Sequence, residues 1–416
     1  MTTQNPTTSF ANFLAEYYAF FRYENLLRYR FKMADFYTAL QATTTSLESS
    51  LLGHSWQGRP IFKVQVGKGK KKVLLWSQMH GNEPTATLAL LDIFNFFNGS
   101  FSYPNPFVAN MARQIREKIE KNLHLIFVPV LNPDGTERFT RVTAQGIDMN
   151  RDFRQRQTPE GRLLIALAAD FQPEFSFNLH DQRSKYSVGD SANPTTMAFL
   201  APAPDAEKSL TPRRKAAIQL ISLMVKTLEP YIGQNLAKYN DDFEPRAFGD
   251  NFQSLGYGTI LIESGHVSGD FEKQQVRKYN FIAILTALYA LASDLETQES
   301  LEPYEALPFN GERFFDLILR KVEIFPNCTV DVAIERDAFF QKNDTNGKPL
   351  YDFVGKIATL GDLTGFYGHQ EVDCSGLKVV LQKGEWLPEA SPLVFFYRKD
   401  GQLAHLLAEG NFLTCS

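Results

Sequence analysis

The sequence predicts an α/β fold with a largely parallel sheet in its middle, followed by a smaller β domain. Three observations carry this reading. Between residues 60 and 294, short apolar runs of strand length alternate with longer helical patterns, as expected of strands covered by helices. The stretch ETQESLEPYEALP (296–308) is polar with two prolines, which suits a boundary between domains. Beyond it the pattern changes to short strands separated by turn signals.

Residues 9–40 set aromatic and charged positions at helical spacing, which reads as one or two amphipathic helices in an N-terminal extension over 1–45. IFKVQVG, GKGKKK and VLLWSQ, over 61–78, read as strand, turn and buried strand. Together they predict a β-hairpin whose lysine-rich tip is solvated. EPTATLALLDIFNFF is a helix with Pro84 near its first turn, where a missing N–H is harmless. NLHLIFVPVLNPDG, PEFSFNLHD and YGTILIESGH are further buried strands, and helices are expected over about 211–229 and 271–294. This main domain spans 46–296. The β domain spans 308–416, with strand signals VDVAIER, LKVVLQKGEW and PLVFFYRKDGQ and turn signals at Asn346–Gly347 and Lys399–Gly401.

The bulk numbers bound the function. With 416 residues the chain is long enough for one large domain and a smaller one. A hydrophobic share of 44%, a charged share of 22% and a net charge of −4 describe an ordinary globular chain with no call for a nucleic-acid partner or an acidic membrane surface. The N-terminal stretch lacks a basic region and is interrupted by Glu16, so no signal peptide is read. There is no run of 18 apolar residues, hence no transmembrane helix. Cys328, Cys374 and Cys415 share neither disulfide nor metal-ligand spacing and are expected to be buried free thiols. A cytoplasmic location is the expectation, and nothing in the sequence sets an oligomeric state.

Four strand ends carry polar groups: His80 with Glu83, Asn132–Asp134, His180, and Glu263. In open α/β sheets ligands bind at the carboxyl ends of strands, so these groups converge only if their strands are neighbours. His-x-x-Glu places an imidazole and a carboxylate on one turn, and a distant histidine such as His180 supplies a third ligand. This is the set a catalytic zinc takes with one position left open. Gly81 lets the turn between them bend tightly. Glu263 ends an apolar strand, where desolvation raises a carboxylate towards the range a general base needs. The loop 132–153 holds Arg138, Arg141 and Arg151 beside Asn150, and guanidinium groups there can stabilise an oxyanion or grip a carboxylate. Each motif taken singly also fits a structural role: a helix cap, a strand-end turn, a solvated face.

In this order the motifs resemble the zinc metallocarboxypeptidase family, in the manner of its bacterial members. LGHSWQGRPI resembles the Gly-x-Ser-x-x-Gly-Arg hairpin, HGNE the zinc motif, and NPDG with GIDMNRDF the carboxylate-binding loop. NLHD resembles the strand of the third ligand, and LIESG that of the catalytic glutamate. The resemblance covers about 50–295 and implies an eight-stranded mixed sheet sandwiched by helices. It implies one zinc ion on His80, Glu83 and His180, with Glu263 as general base, Arg141 as oxyanion stabiliser, and Asn150 and Arg151 gripping the substrate's carboxylate. It implies a hydrolase, a carboxypeptidase acting on peptides. The mobile tyrosine of the family has only weak candidates, Tyr239 and Tyr257. Residues 183–257 are expected to shape specificity, with Arg246 and Asp250 paired to each other, and His266 is expected to pack or support the strand end. HGNE also resembles the aspartoacylase and succinylglutamate desuccinylase group, so an amidohydrolase acting on small acylated amino acids is the alternative. A non-catalytic binding protein on the same fold is disfavoured, because all four groups are present.

Overall fold

A computed structural model describes residues 6–99, 103–343, 349–408 and 411–414. The turn signal at Asn346–Gly347 and Cys415 lie outside these residues. The chain divides into two compact units, one of residues 1–183 and 195–310, the other of residues 184–194 and 311–416.

The larger unit is built on an eight-stranded mixed sheet flanked by helices. Its helices are α1 (Pro6–Phe21), α2 (Met33–Thr43), α3 (Thr85–Asn98), α4 (Pro106–Asn122), α5 (Pro133–Arg138), α6 (Pro159–Phe171), α7 (Pro212–Ile232), α8 (Phe248–Ser254), α9 (Gln274–Leu291) and α10 (Glu302–Glu305). The first nine strands of the chain, of which β6 belongs to the smaller unit, are β1 (Glu48–His54), β2 (Pro60–Val66), β3 (Lys71–Ser77), β4 (Leu123–Val128), β5 (Phe175–Asp181), β6 (Tyr186–Val188), β7 (Met197–Leu200), β8 (Leu236–Lys238) and β9 (Gly258–Ser264). All but β6 join the sheet, in the order β1-β2-β4-β3-β5-β9-β7-β8. Strands β4, β3, β5 and β9 run parallel.

Alternation assigns the two faces. Val73, Leu75, Phe177, Leu179, Ile260 and Ile262 share a core with α1, α2, α3, α4, α7 and α9. Leu74, Trp76, Ile126 and Val128 share the opposite core with α6 and α8. His180 and Glu263 lie in register across β5 and β9.

The hairpin expected at 61–78 is not made. β2 pairs instead with β1 in an antiparallel hairpin, and β4 lies between β2 and β3. The glycines read as a turn tip serve a crossing. A Cβ on Gly67 would lie 2.4 Å from the Leu123 carbonyl oxygen, and one on Gly69 would lie 2.0 Å from the Asn122 carbonyl carbon. Only a bare backbone passes the start of β4 so closely. The lysine cluster is not all solvated either: Lys71 Nζ donates to the Leu291 carbonyl at 2.9 Å and pairs with Asp294 and Glu296 at 2.9 and 2.5 Å. It thereby ties the start of β3 to the end of α9.

The N-terminal segment is anchored by a buried ion pair. Arg277 and Asp92 have fully buried side chains, and Arg277 Nε donates to Asp92 Oδ2 at 2.7 Å. Tyr18 Oη and the Tyr23 amide also donate to Asp92, both at 2.8 Å, while Arg277 donates to the Leu26 and Tyr23 carbonyls. Every charge is matched by hydrogen bonds, the condition under which such a pair holds; leaving one partner alone costs about 3–5 kcal/mol.

The smaller unit is β-rich. It contains β6 paired with β10 (Asn310–Glu312), a sheet of β11 (Phe314–Phe325), β12 (Cys328–Asn343), β13 (Pro349–Gly361) and β14 (Tyr367–Asp373), and a second sheet of β15 (Lys378–Lys383), β16 (Leu393–Tyr397), β17 (Leu403–Ala408) and β18 (Asn411–Thr414). Leu317, Leu319, Val332 and Ile334 of the first sheet share a core with Val394, Phe396 and Leu407 of the second. Cys374 is buried as a free thiol, whereas Cys328 is half-buried. Among the described residues no helix is long and apolar enough to cross a membrane.

Candidate active site

The ends of β3 and β5 are adjacent, and each supplies a polar group to one place. β3 stops at Ser77 because Gln78 takes a left-handed backbone, φ 45°. Its side chain then holds the turn, Nε2 donating to the Gly81 carbonyl and to Thr136 Oγ1, both at 3.0 Å. Gly81 lies so close to α5 that a Cβ would sit 2.0 Å from the Gly135 carbonyl carbon. That turn sets His80 and Glu83 just before α3.

α5 is held in place from the other side. Asn132 caps it, accepting from the Gly135 amide at 2.9 Å and donating to the Met79 carbonyl at 3.2 Å. Asp134, buried, accepts from Ser55 Oγ and the Gln57 amide, both at 2.9 Å, and from Arg59 Nη1 at 2.7 Å. The Gly-x-Ser-x-x-Gly-Arg and NPDG stretches are therefore one assembly: the β1–β2 turn clamps α5, and α5 backs the HGNE turn.

His80, Glu83 and His180 are all buried, and their nearest donor atoms lie within 4.8 Å of one another. Glu83 sits between the imidazoles: Oε1 is 2.9 Å from His80 Nδ1 and Oε2 is 2.8 Å from His180 Nδ1. Burial pushes the Glu83 carboxyl up, but the two histidines outweigh it and hold it well below the usual carboxylate range. Burial lowers His180, while for His80 the pull of Glu83 and Asp148 overcomes burial and raises it. His80 Nε2 is 3.0 Å from Asp148 Oδ1. Two imidazoles and an ionised carboxylate converging in a buried spot are a fitting donor set for a zinc ion, and the carboxylate behind His80 would fix its ring.

Glu263 lies on the next strand. It is half-buried, yet its Oε2 is buried with no hydrogen-bond partner among the described residues. Burial raises its carboxyl well above the ordinary value, and Glu83 and Asp181 add to this against Arg141 and Lys273. Arg141 Nη1 donates to Glu83 Oε1 at 3.2 Å, and its Nε donates to Asp148 Oδ2 at 3.1 Å. Gly146, φ 79°, closes the turn that returns the chain from Arg141 to Asp148. Asn150 Oδ1 accepts from the Phe248 amide at 2.9 Å, and Arg151 Nε lies 3.5 Å from Glu244 Oε2. These two residues thus face α8 and the loop before it.

Arg246 does not pair with Asp250. It forks onto Glu244, with Nε to Oε1 at 2.8 Å and Nη2 to Oε2 at 2.7 Å, while Asp250 Oδ1 accepts from the Glu244 amide at 2.9 Å. Left without a cation of its own, Asp250 is pushed by burial up to about 6. A folded pKa above the ordinary 3.8 gives stability that is full below about pH 4 and lost as pH rises through 6. Asp250→Asn keeps the acceptor and removes the charge. The variant should gain about 2–3 kcal/mol on the wild type between pH 4 and pH 7.5, a gain that denaturant titrations at the two pH values would show.

Of the weak tyrosine candidates, Tyr257 is packed in the core against Phe252, its Oη 3.4 Å from the Ala168 carbonyl. The Tyr239 amide donates to the Phe199 carbonyl. His266 also bonds through its backbone, its amide donating to the Thr195 carbonyl. Residues 184–194, expected to shape specificity, fall in the smaller unit. Two residues near the site were not expected. Asp148 was legible as the carboxylate two positions before Asn150. Tyr29, from the N-terminal segment, donates to Asp181 Oδ2 at 3.0 Å and to the Asn82 carbonyl at 3.3 Å, and no local pattern announces it.

Residues 33–207 match the zinc carboxypeptidase family model. That segment holds His80, Glu83, Arg141, Asn150, Arg151 and His180; Glu263 lies beyond it. Carboxypeptidase SOL1 of Arabidopsis thaliana is 23% identical over 145 residues, which cover 31% of this chain. The chain spans 28% of that relative's length. A metallo-carboxypeptidase from Burkholderia cenocepacia shares the fold, with a TM-score of 0.51 and 16% identity over 64% of this chain and 70% of that one. The likeness is thus one of sequence to zinc carboxypeptidases over residues 33–207 and one of fold to a metallo-carboxypeptidase.

Proposed function

We propose that the chain is a zinc-dependent carboxypeptidase that releases C-terminal amino acids from peptides. The observation that carries this reading is the buried His80–Glu83–His180 donor set with Glu263 in register beside His180. His80, Glu83 and His180 would hold one zinc ion, which when bound polarises a carbonyl and makes water a nucleophile near neutral pH. Glu263 takes the proton of the attacking water and hands it to the leaving amine. Its half-buried position suits this, since desolvation strengthens a carboxylate as a base. Arg141, beside Glu83, meets the oxygen on which charge develops. Asn150 keeps its amide hydrogens for the substrate, because only its oxygen is taken by Phe248. Arg151 is 40% exposed; its Nη1 donates to the Asn150 carbonyl and its Nε lies by Glu244, and its charge is left to draw in a carboxylate.

Peptides with a free and an amidated C-terminus test the reading. The free form should be cleaved at least about a hundredfold faster, as expected when polar groups placed to bond the substrate would otherwise be left unpaired. Equal rates would remove the carboxylate grip and with it the carboxypeptidase assignment.

A further inference from the structure

Residues 28–33 form a strap fixed at both ends. At one end Arg28 Nη1 and the Tyr29 amide donate to Glu272, at 2.8 and 2.6 Å. At the other, Lys32 Nζ donates to the Glu137 carbonyl at 2.6 Å and the Met33 amide to Glu137 Oε2 at 3.0 Å. Between these anchors Tyr29 bonds Asn82 and Asp181, the chain neighbours of Glu83 and His180. The Tyr29 ring meets Phe139 edge-on at 5.5 Å, and the Arg30 guanidinium lies 4.3 Å over the same Phe139 ring.

The loop 139–151 gives the strap its direction. It begins at Phe139 under the strap, passes Arg141 at Glu83, and ends at Asn150 and Arg151 against α8 and Glu244. The carboxylate end of a substrate therefore lies towards the α6–α8 face, its reacting carbonyl at Arg141, and its upstream end towards Phe139 and Tyr29. Asp181 points to the face of α3 and α9, since its neighbour His180 points to the other. Asn82 Oδ1, buried without a partner among the described residues, is an acceptor left at that end.

We propose that Tyr29 and Arg30 wall off the upstream side of the cleft, so that the enzyme takes substrates with one short group there: dipeptides and N-acylated amino acids. This rests on the carboxypeptidase reading of the same site. A longer chain leaving the site meets the Tyr29 and Phe139 rings, held by the anchors on Glu272 and Glu137. The residues act on substrate length and take no part in proton transfer.

The test uses the full zinc-loaded chain with two probe mixtures, N-acetyl-X and Ala-Ala-Ala-Ala-X, where X runs through the twenty amino acids. Release of each X is followed by mass spectrometry, and Glu263→Gln gives the background. The readout is the short-to-long ratio of kcat/KM, which cancels any loss of folded fraction. The wild type should favour the short probes by about tenfold or more, the scale on which a closed subsite discriminates. Tyr29→Ala and Arg30→Ala should each lower the ratio, and the double variant should bring it close to one. Tyr29→Phe, which keeps the ring, should leave it unchanged. A wild type that cleaves both lengths equally, or a ratio unmoved in the double variant, would overturn the strap while leaving the carboxypeptidase reading intact. Release from neither mixture above the Glu263→Gln background would overturn both.

Discussion

Glu263→Gln should lower kcat by a factor on the order of 10²–10⁴, the usual contribution of a positioned acid–base group, with one zinc still bound and KM little changed. The amide keeps the size and shape of the side chain but can neither accept the water's proton nor deliver it. No fold argument confuses the result: Oε2 has no partner among the described residues, so no hydrogen bond to it is lost. The pH profile gives a second readout. Glu263 must be ionised to act, and burial together with Glu83 and Asp181 raises its carboxyl. Wild-type activity should therefore fall on acidification at a pH above the ordinary glutamate range, and that limb should vanish from the residual activity of the variant. Near-wild-type turnover in Glu263→Gln would remove Glu263 from the chemistry.

His180→Ala should lower zinc affinity more than any change behind the ligands does. His180 projects from β5 between two parallel neighbours and is buried, so neither a water nor another side chain replaces its nitrogen at low cost. Asp148→Asn is the comparison. It leaves all three donors and removes the charge behind His80, which Arg141 also shares; loss of such support behind a ligand costs about 10–100-fold in metal affinity. Competition with a chromophoric chelator orders the two variants. His180→Ala binding one zinc as tightly as the wild type would show that the ion sits elsewhere.

The strand ends were readable because each breaks a local rule. His80, His180 and Glu263 are polar groups closing apolar runs, and a core has no use for them there. Their convergence needed β3, β5 and β9 to be neighbours, and the parallel register supplies that. Sheet order itself was not readable. Gly67 and Gly69 look the same in sequence whether they turn a hairpin or let one backbone slide past another, and here they do the second. Asp148 stands in view two positions before Asn150, but its pairing with His80 was hidden, because the two are 68 positions apart. Tyr29 was hidden for the same reason, 152 positions from Asp181, in a segment whose aromatic spacing spoke only of helices. Arg246 was matched to the wrong acid, since Glu244 and Asp250 flank it in sequence and only the turn before α8 selects Glu244.

The most direct test is to identify the bond that zinc-loaded protein breaks in a peptide with a free C-terminus, by mass spectrometry of both products with Glu263→Gln alongside. A zinc-dependent carboxypeptidase gives a single free amino acid from the C-terminus and a peptide shorter by one, with neither product in the variant. Acyl groups removed from N-acyl amino acids while every peptide bond, that of dipeptides included, stays intact would contradict it and place the chemistry with amidohydrolases instead.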